Sequence, residues 1–169
     1  MVVKPRASNA LKEIPFVPTP YPVVEKMLQL ASVKPDEVVY DLGAGDGRIV
    51  FTAVNKFSAR GVAVELDPWR SSLIREKVIR QGLKEQIEVR QEDFFKTILD
   101  KADVVTLYLL PEANRLLARK LLRELPTNAR VVAHDYPIPD WRPKEVLNVK
   151  YDGRIHTLYL YQPKLLKRF

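Results

Sequence analysis

The sequence predicts a single-domain α/β fold: a mostly parallel, seven-stranded sheet covered on both faces and finished by a C-terminal antiparallel hairpin. Three observations predict it. Short apolar runs alternate with longer segments of helical periodicity from Val38 to His134, the pattern that builds parallel sheets through crossover helices. The first run enters a glycine-rich turn, Gly43-Ala44-Gly45-Asp46-Gly47. The last two runs are joined by Asp152-Gly153, a strong short hairpin signal.

The elements follow in chain order. Residues 1–14 are basic and punctuated by proline, and are expected to be a flexible segment ahead of a domain spanning 15–162. Thr19-Pro20 opens a helix, with Thr19 a candidate cap and Pro20 suited to the first turn. Val24, Met27, Leu28 and Ala31 then share one apolar face. After a turn at Lys34-Pro35-Asp36-Glu37, residues 38–42 form a buried strand and 48–57 a helix. Residues 61–65 form a second strand that ends on an acid. Pro68 starts the next helix, with Trp69, Leu73, Ile74 and Val78 on one side. A third strand is expected over 86–90 and a long, nearly uncharged fourth over 104–110. Pro111 opens a helix in which Ala113, Leu117, Leu121 and Leu125 recur every four residues. Strands follow at 130–134, 146–151 and 155–161. Residues 163–169 form a basic tail, either a mobile extension or a segment that packs. No internal repeat or second domain is visible.

Composition bounds the chemistry. A chain of 169 residues can bury one substantial core. The absence of cysteine excludes disulfides, thiolate metal sites and cysteine nucleophiles. With two histidines, His134 and His156, no metal site is expected. No apolar run approaches the roughly 20 residues that span a bilayer, and no charged-then-apolar leader opens the chain. The expectation is a cytoplasmic protein without membrane contact. Missing cysteine, 13 prolines and many charges suit a thermophile. The net charge of +7 favours acidic partners or nucleic acid, and says nothing of fold. Arg115, Arg119, Lys120 and Arg123 share a helix, as Arg75, Lys77, Arg80 and Lys84 share another stretch. Solvated faces explain both sets, and docking on an acidic surface is the alternative.

Asp41-Leu42-Gly43-Ala44-Gly45-Asp46-Gly47 carries the most information. Glycine allows close approach of a ligand and positive φ without steric cost, and the helix behind it offers unpaired N–H groups. A dinucleotide fingerprint needs glycine at 48, where Arg48 stands. Glu65, at the end of the next strand, is placed to accept both hydroxyl hydrogen bonds of a ribose. Asp93 after the third strand is placed to accept from an adenine amine, and Phe94 to cover the ring. Turn chemistry is the alternative reading of Asp93.

From Asp41 onward the glycine loop has the form of the first motif of S-adenosylmethionine-dependent methyltransferases. The chain as a whole resembles the archaeal class I protein-lysine methyltransferases, relatives of the non-SET histone lysine methyltransferases, from about Ile14 to Tyr161. The resemblance rests on seven stretches in order. They are residues 15–20, 40–49, Val64-Glu65, Asp93-Phe94-Phe95, 105–110, Arg130 to Tyr136, and Trp141 to Val146 with His156 to Tyr161. It implies a Rossmann-like class I fold and S-adenosylmethionine as cofactor, with S-adenosylhomocysteine as product. It implies cofactor contacts from Val17, Pro18 and Thr19 over the methionine end, and from Asp41, Gly43, Gly45, Gly47, Glu65, Asp93 and Phe94. The activity implied is methylation of lysine ε-amines in proteins, with broad substrate range and automethylation. Partners would be proteins bearing accessible lysines, chromatin-associated proteins among them, with weak nucleic-acid contact through basic surface. Two departures stand out. Phe16 replaces an expected tyrosine, and Asp135 replaces a longer glutamate after His134. The Asn/Asp-Pro-Pro-aromatic motif of enzymes that methylate adenine, cytosine or glutamine is absent, Tyr108-Leu109-Leu110-Pro111 standing in its place.

Lysine methylation needs a neutral amine, and the ordinary lysine pKa is about 10.4. A cationic neighbour and a low-dielectric channel both favour neutrality. Tyr108 is the expected side chain nearest the amine. Asp135 is expected to orient the amine or to take its proton through water. Strand preference for aromatics and turn preference for Asp are the structural alternatives. An RNA methyltransferase, and a non-catalytic nucleic-acid-associated protein retaining the fold, are the competing functions.

Overall fold

The computed structural model describes residues 16–166. The segment expected to be flexible, 1–14, and the end of the basic tail, 167–169, lie outside the described residues. The elements in order are α1 (Tyr21–Leu30), β1 (Val38–Leu42), α2 (Arg48–Phe57), β2 (Arg60–Val64), α3 (Pro68–Arg80) and β3 (Ile87–Arg90). Then come β4 (Val104–Leu107), α4 (Pro111–Glu124), β5 (Arg130–His134), β6 (Glu145–Tyr151), β7 (Arg154–Tyr161) and the short α5 (Pro163–Leu166).

The seven strands form one sheet in the order β3-β2-β1-β4-β5-β7-β6. β1 to β5 run parallel. β7 is antiparallel to both β5 and β6. Strand order reverses between β1 and β4, and ligands collect beyond the carboxyl ends of strands at such a point. The strand period of two sends alternate residues to opposite faces. Tyr40, Leu42, Val105 and Leu107 meet Leu117 and Leu121 of α4 on one face. Val39, Val104 and Val132 meet α1 and α2 on the other. Both faces being covered, β1 and β4 are almost continuously apolar.

At the amino ends of the strands a polar clasp ties three segments. Arg130 donates to both carboxylate oxygens of Glu37, at 2.9 and 2.6 Å, and to the carbonyl of Ala31 at 2.9 Å. The Val38 amide donates to Asp103 Oδ2 at 2.8 Å. The bidentate Arg130 geometry is the strong form of such a pair.

Two expectations need correction. β4 ends at Leu107 rather than Leu110. Its last pairs are Leu107 with Leu42 of β1, which turns away into the glycine loop, and with Ala133 of β5, so Tyr108 to Leu110 leave the sheet as a connector to α4, which Pro111 begins. Thr19 does not cap α1. The helix starts at Tyr21 with Pro20 at the cap position and no side-chain cap bond, because the Thr19 hydroxyl is engaged elsewhere. Of the two readings left open for the tail, its described part packs: Pro163–Leu166 form a helical turn with Pro163 buried.

Gly61 of β2 shows how closely α2 approaches the sheet. A Cβ there would stand 2.8 Å from Val50 Cβ. Gly61→Ala should therefore lower stability by about 1–3 kcal/mol through overpacking. Urea unfolding would check this, and an unchanged midpoint would show that α2 shifts freely.

Candidate functional site

A cavity of about 540 Å³ opens at the carboxyl ends of β1, β2 and β4. That size suits a small organic ligand. Each wall comes from a different element, and each residue stands there for a local reason.

The floor is the turn after β1. The amides of Gly43 and Ala44 both donate to the Val64 carbonyl at 2.9 Å, which folds the turn over the end of β2. Gly43, Gly45 and Gly47 all have positive φ, at 86°, 60° and 80°. Only Gly43 of the three lines the cavity. Gly45 donates its amide to Glu65 Oε1 at 2.9 Å, and a Cβ on it would run into the Phe16 ring. Gly47 precedes α2 and lies against Phe51 and Ile74.

Two carboxylates face this floor. Glu65, the residue after β2, is buried. Its Oε1 accepts from Gly45, its Oε2 from the Asp67 amide at 2.8 Å, and Arg70 lies against it at 3.2 Å. These donors fix its orientation. Asp41 on β1 is buried and pairs in register with Thr106 of β4. The Thr106 hydroxyl donates to Asp41 Oδ1 at 2.8 Å. Burial, with the charges of Glu65 and Asp46 nearby, pushes the Asp41 carboxyl up to about 7 despite that bond. An uncompensated buried anion is costly, so the cavity is electrostatically ready for a cation beside Asp41.

Asp93 and Phe94 line another wall. Asp93 Oδ1 accepts from the Phe95 amide at 2.9 Å, so the turn chemistry and the cavity position hold together. Phe94 is buried. Phe16, Val17, Pro18 and Thr19 cross the opening. Two bonds hold this strap: Thr19 Oγ1 lies 3.0 Å from His134 Nδ1, and Arg48 Nη1 donates to the Thr19 carbonyl at 3.1 Å.

Tyr108 stands at the far end of the cavity. Its hydroxyl lies 3.3 Å from Asp135 Oδ2 and 3.4 Å from Arg154 Nη2. Asp135 does not line the cavity. Its Oδ2 accepts from Arg154 at 2.5 Å and its Oδ1 from the Thr157 amide at 3.1 Å. Burial raises the Asp135 carboxyl, but Arg154, His134 and the Thr157 amide outweigh it and hold the group below the usual carboxylate range. Such a carboxylate is a weak base and a firm hydrogen-bond anchor. Burial also raises the Tyr108 phenol, helped by the Asp135 charge, so Tyr108 is a neutral hydroxyl at physiological pH.

Of the residues expected to form the site, nine line the cavity: Val17, Pro18, Thr19, Asp41, Gly43, Glu65, Asp93, Phe94 and Tyr108. Gly45, Gly47 and Asp135 support it from behind. Sequence reasoning misses Arg48, Arg70, Thr106 and Arg154. Thr106 carries a legible signal, as the lone hydroxyl in an apolar strand. The arginines carry none, because each acts through a partner that only the fold supplies.

The profile of the ANTKMT methyltransferase domain matches residues 41–145. A protein-lysine N-methyltransferase of Saccharolobus islandicus (strain REY15A) is 40% identical, covering 88% of this chain and 92% of that protein. The adenine nucleotide translocase lysine N-methyltransferase of Mus musculus is 36% identical over 80% of this chain and 58% of its own length. The chain thus spans less than two thirds of that animal relative. A crystal structure described as an RNA methyltransferase from Salinibacter ruber in complex with S-adenosyl-L-homocysteine is 42% identical. Its TM-score is 0.79, covering 86% of this chain and 92% of that one.

Proposed function

Because the chain belongs to the ANTKMT methyltransferase-domain family of class I, S-adenosylmethionine-dependent enzymes, we propose that it methylates the ε-amine of lysine in proteins. The observation that carries this reading is the 40% identity, along nearly the whole chain, to a protein-lysine N-methyltransferase.

The residues present fit the cofactor. A cavity with one fixed carboxylate at Glu65, one buried carboxylate at Asp41 and an aromatic at Phe94 suits a nucleoside carrying a cationic amino-acid tail. S-adenosylmethionine supplies a methyl group activated on a sulfonium. In our reading Glu65 accepts from the ribose hydroxyls, Asp93 accepts from the adenine amine and Phe94 covers the ring. Asp41 neutralises the ammonium of the methionine part. Val17, Pro18 and Thr19 wall off that end from water, while Gly43 lets the backbone come close. Gly45 and Gly47 act indirectly, by shaping the turn and tying it to Glu65.

Tyr108 is placed to receive the acceptor amine, its hydroxyl accepting from or donating to nitrogen as the amine loses its proton. Asp135 orients that hydroxyl jointly with Arg154. With Arg154 at 2.5 Å, Asp135 is assigned to orientation rather than to proton removal, and water takes the proton. Tyr108→Phe should lower kcat about tenfold with cofactor affinity unchanged, the signature of an interaction made in the transition state. Equal turnover in the two proteins would remove the hydroxyl from the chemistry.

Broad substrate range and automethylation are the finer parts of this proposal. Chromatin-associated proteins are candidate partners, since a +7 chain is drawn to the nucleic acid of such assemblies. Among the described residues no helix is long and apolar enough to cross a membrane. A second reading, RNA methylation, is favoured by the description of the Salinibacter ruber relative. Incubation with radiolabelled S-adenosylmethionine and cell extract, split between protease and RNase treatment, decides between them. Protease-sensitive label recovered as methyl-lysine is the expected result. RNase-sensitive label would replace the lysine reading with the RNA one.

A further inference from the structure

His134 closes β5 and is fully buried. It does not line the cavity, yet two of the three residues its ring touches do. Nδ1 lies 3.0 Å from Thr19 Oγ1. One ring face packs on Tyr108, the centroids 3.9 Å apart and the planes at 32°. Nε2 lies 2.9 Å from His156 Nδ1. Thr19 and Tyr108 both line the cavity, and they come from segments far apart in the chain. Among the described residues, His134 is the one side chain that touches both in these ways.

The hydrogen-bond pattern couples the two histidines. Burial drives His134 down to about 4, so it is neutral at physiological pH. A neutral imidazole has one donor and one acceptor nitrogen. When His134 Nδ1 accepts from the Thr19 hydroxyl, its Nε2–H faces His156 Nδ1 at 2.9 Å, with Asp135 Oδ2 farther off at 3.5 Å. His156 Nε2 has no protein partner among the described residues. The hydroxyl direction at the cavity wall is therefore set by a ring that is itself held by a second ring. Burying an imidazole is costly unless it is bonded, and here one of its two partners is a residue of the cavity strap.

We propose that His134 is a positioning residue for methyl transfer, locking the Val17–Thr19 strap and Tyr108 into one wall, with His156 holding its tautomer. The proposal rests on the reading that the strap contacts the cofactor and Tyr108 the acceptor amine. It divides His134 into two separable functions. The Nδ1 bond to Thr19 governs cofactor affinity, and the ring beneath Tyr108 governs turnover.

The test uses full-length protein and four single variants: T19V, T19S, H134F and H134N. Kd for S-adenosylhomocysteine is measured by calorimetry and kcat by methyl transfer to protein lysine. T19V and H134F should each weaken binding about fivefold, the size of one net hydrogen bond. The double variant T19V/H134F should bind no worse than either single, because both changes remove one shared contact. T19S should stay within about twofold of wild type, since it keeps the hydroxyl. H134N keeps a partner for Thr19 but loses the ring, so binding should hold while kcat falls about tenfold. H134F keeps a ring, so its kcat at saturating cofactor should exceed that of H134N. Multiplying losses in the double variant would overturn the proposal. So would equal losses of affinity and turnover in H134F and H134N that follow their loss of folded protein. Thr19 is buried but belongs to none of the apolar core clusters, so the T19V binding result stands even where the histidine variants fold poorly. Wild-type protein that binds no S-adenosylhomocysteine would overturn the cofactor reading together with this one. Wild-type protein that binds but leaves lysine unmethylated would overturn the lysine reading alone, the Thr19–His134 coupling still being decided by calorimetry.

Discussion

Asp41→Asn will stabilise the unliganded protein at pH 8 and, in the same molecule, weaken cofactor binding. The Asp41 carboxyl is raised to about 7 chiefly by burial. The unfolded chain releases this proton near pH 4, whereas the folded protein keeps it to about 7. Between those values the folded state binds more protons, so stability falls as pH rises and the full penalty stands above about pH 7. A shift of this size is worth on the order of 2–4 kcal/mol. Asparagine removes the penalty and keeps an oxygen for the Thr106 hydroxyl, now 2.8 Å from Asp41 Oδ1. Thermal unfolding should therefore show wild type and variant alike near pH 4 and the variant higher by several degrees at pH 8. Calorimetry at pH 8 should show affinity for S-adenosylhomocysteine reduced about 10- to 100-fold, as one charge partner of the ligand ammonium is lost. An unchanged affinity would mean that Asp41 does not face the ammonium. Matching pH profiles would mean that the carboxyl ionises freely.

Glu65→Ala should have the larger effect on binding. Two charge-assisted hydrogen bonds to ribose hydroxyls together contribute about 3 kcal/mol or more, so Kd should rise at least about 100-fold. The carboxylate also receives the Gly45 and Asp67 amides and the Arg70 guanidinium. Alanine leaves those donors without their acceptor, and the floor of the cavity loses its shape. Glu65→Gln separates the two contributions. It keeps one carbonyl for the amides but brings an N–H against Gly45 or Asp67, and should fall between wild type and alanine. Alanine binding within about threefold of wild type would remove Glu65 from the ribose site.

Much of this is legible from the chain alone, and the gaps have physical causes. The helix over 48–57 is visible because a glycine loop precedes it and its apolar residues keep a helical period. The acid at 65 is visible because it ends an apolar run. The sequence pattern makes β4 three residues too long because Tyr108, Leu109 and Leu110 continue the apolar run, while the neighbouring β1 has already ended at Leu42 and offers them no partner. Thr19 reads as a cap because local chemistry explains Thr-Pro without help. Its actual partner, His134, lies 115 residues further along the chain. The Asp41–Thr106 bond needs the register of β1 on β4, and the Tyr108–Asp135–Arg154 cluster needs β7 to fold back along β5. Local rules supply periods, caps and turns, while pairing between strands distant in sequence is a property of topology.

The Arg130–Glu37 clasp lies at the amino ends of the strands, with the cavity at their carboxyl ends. Integrity and chemistry are thus lodged at opposite poles of one sheet. A change at the cavity rim leaves the clasp and both apolar layers intact, so it alters what is recognised without asking the chain to refold. Inheritance can therefore tinker with the reactive pole while the other keeps the architecture. A collection of variants confined to the exposed side chains Phe16, Leu66, Trp69 and Leu110 would be expected to retain cooperative unfolding throughout while diverging in the acceptors they take.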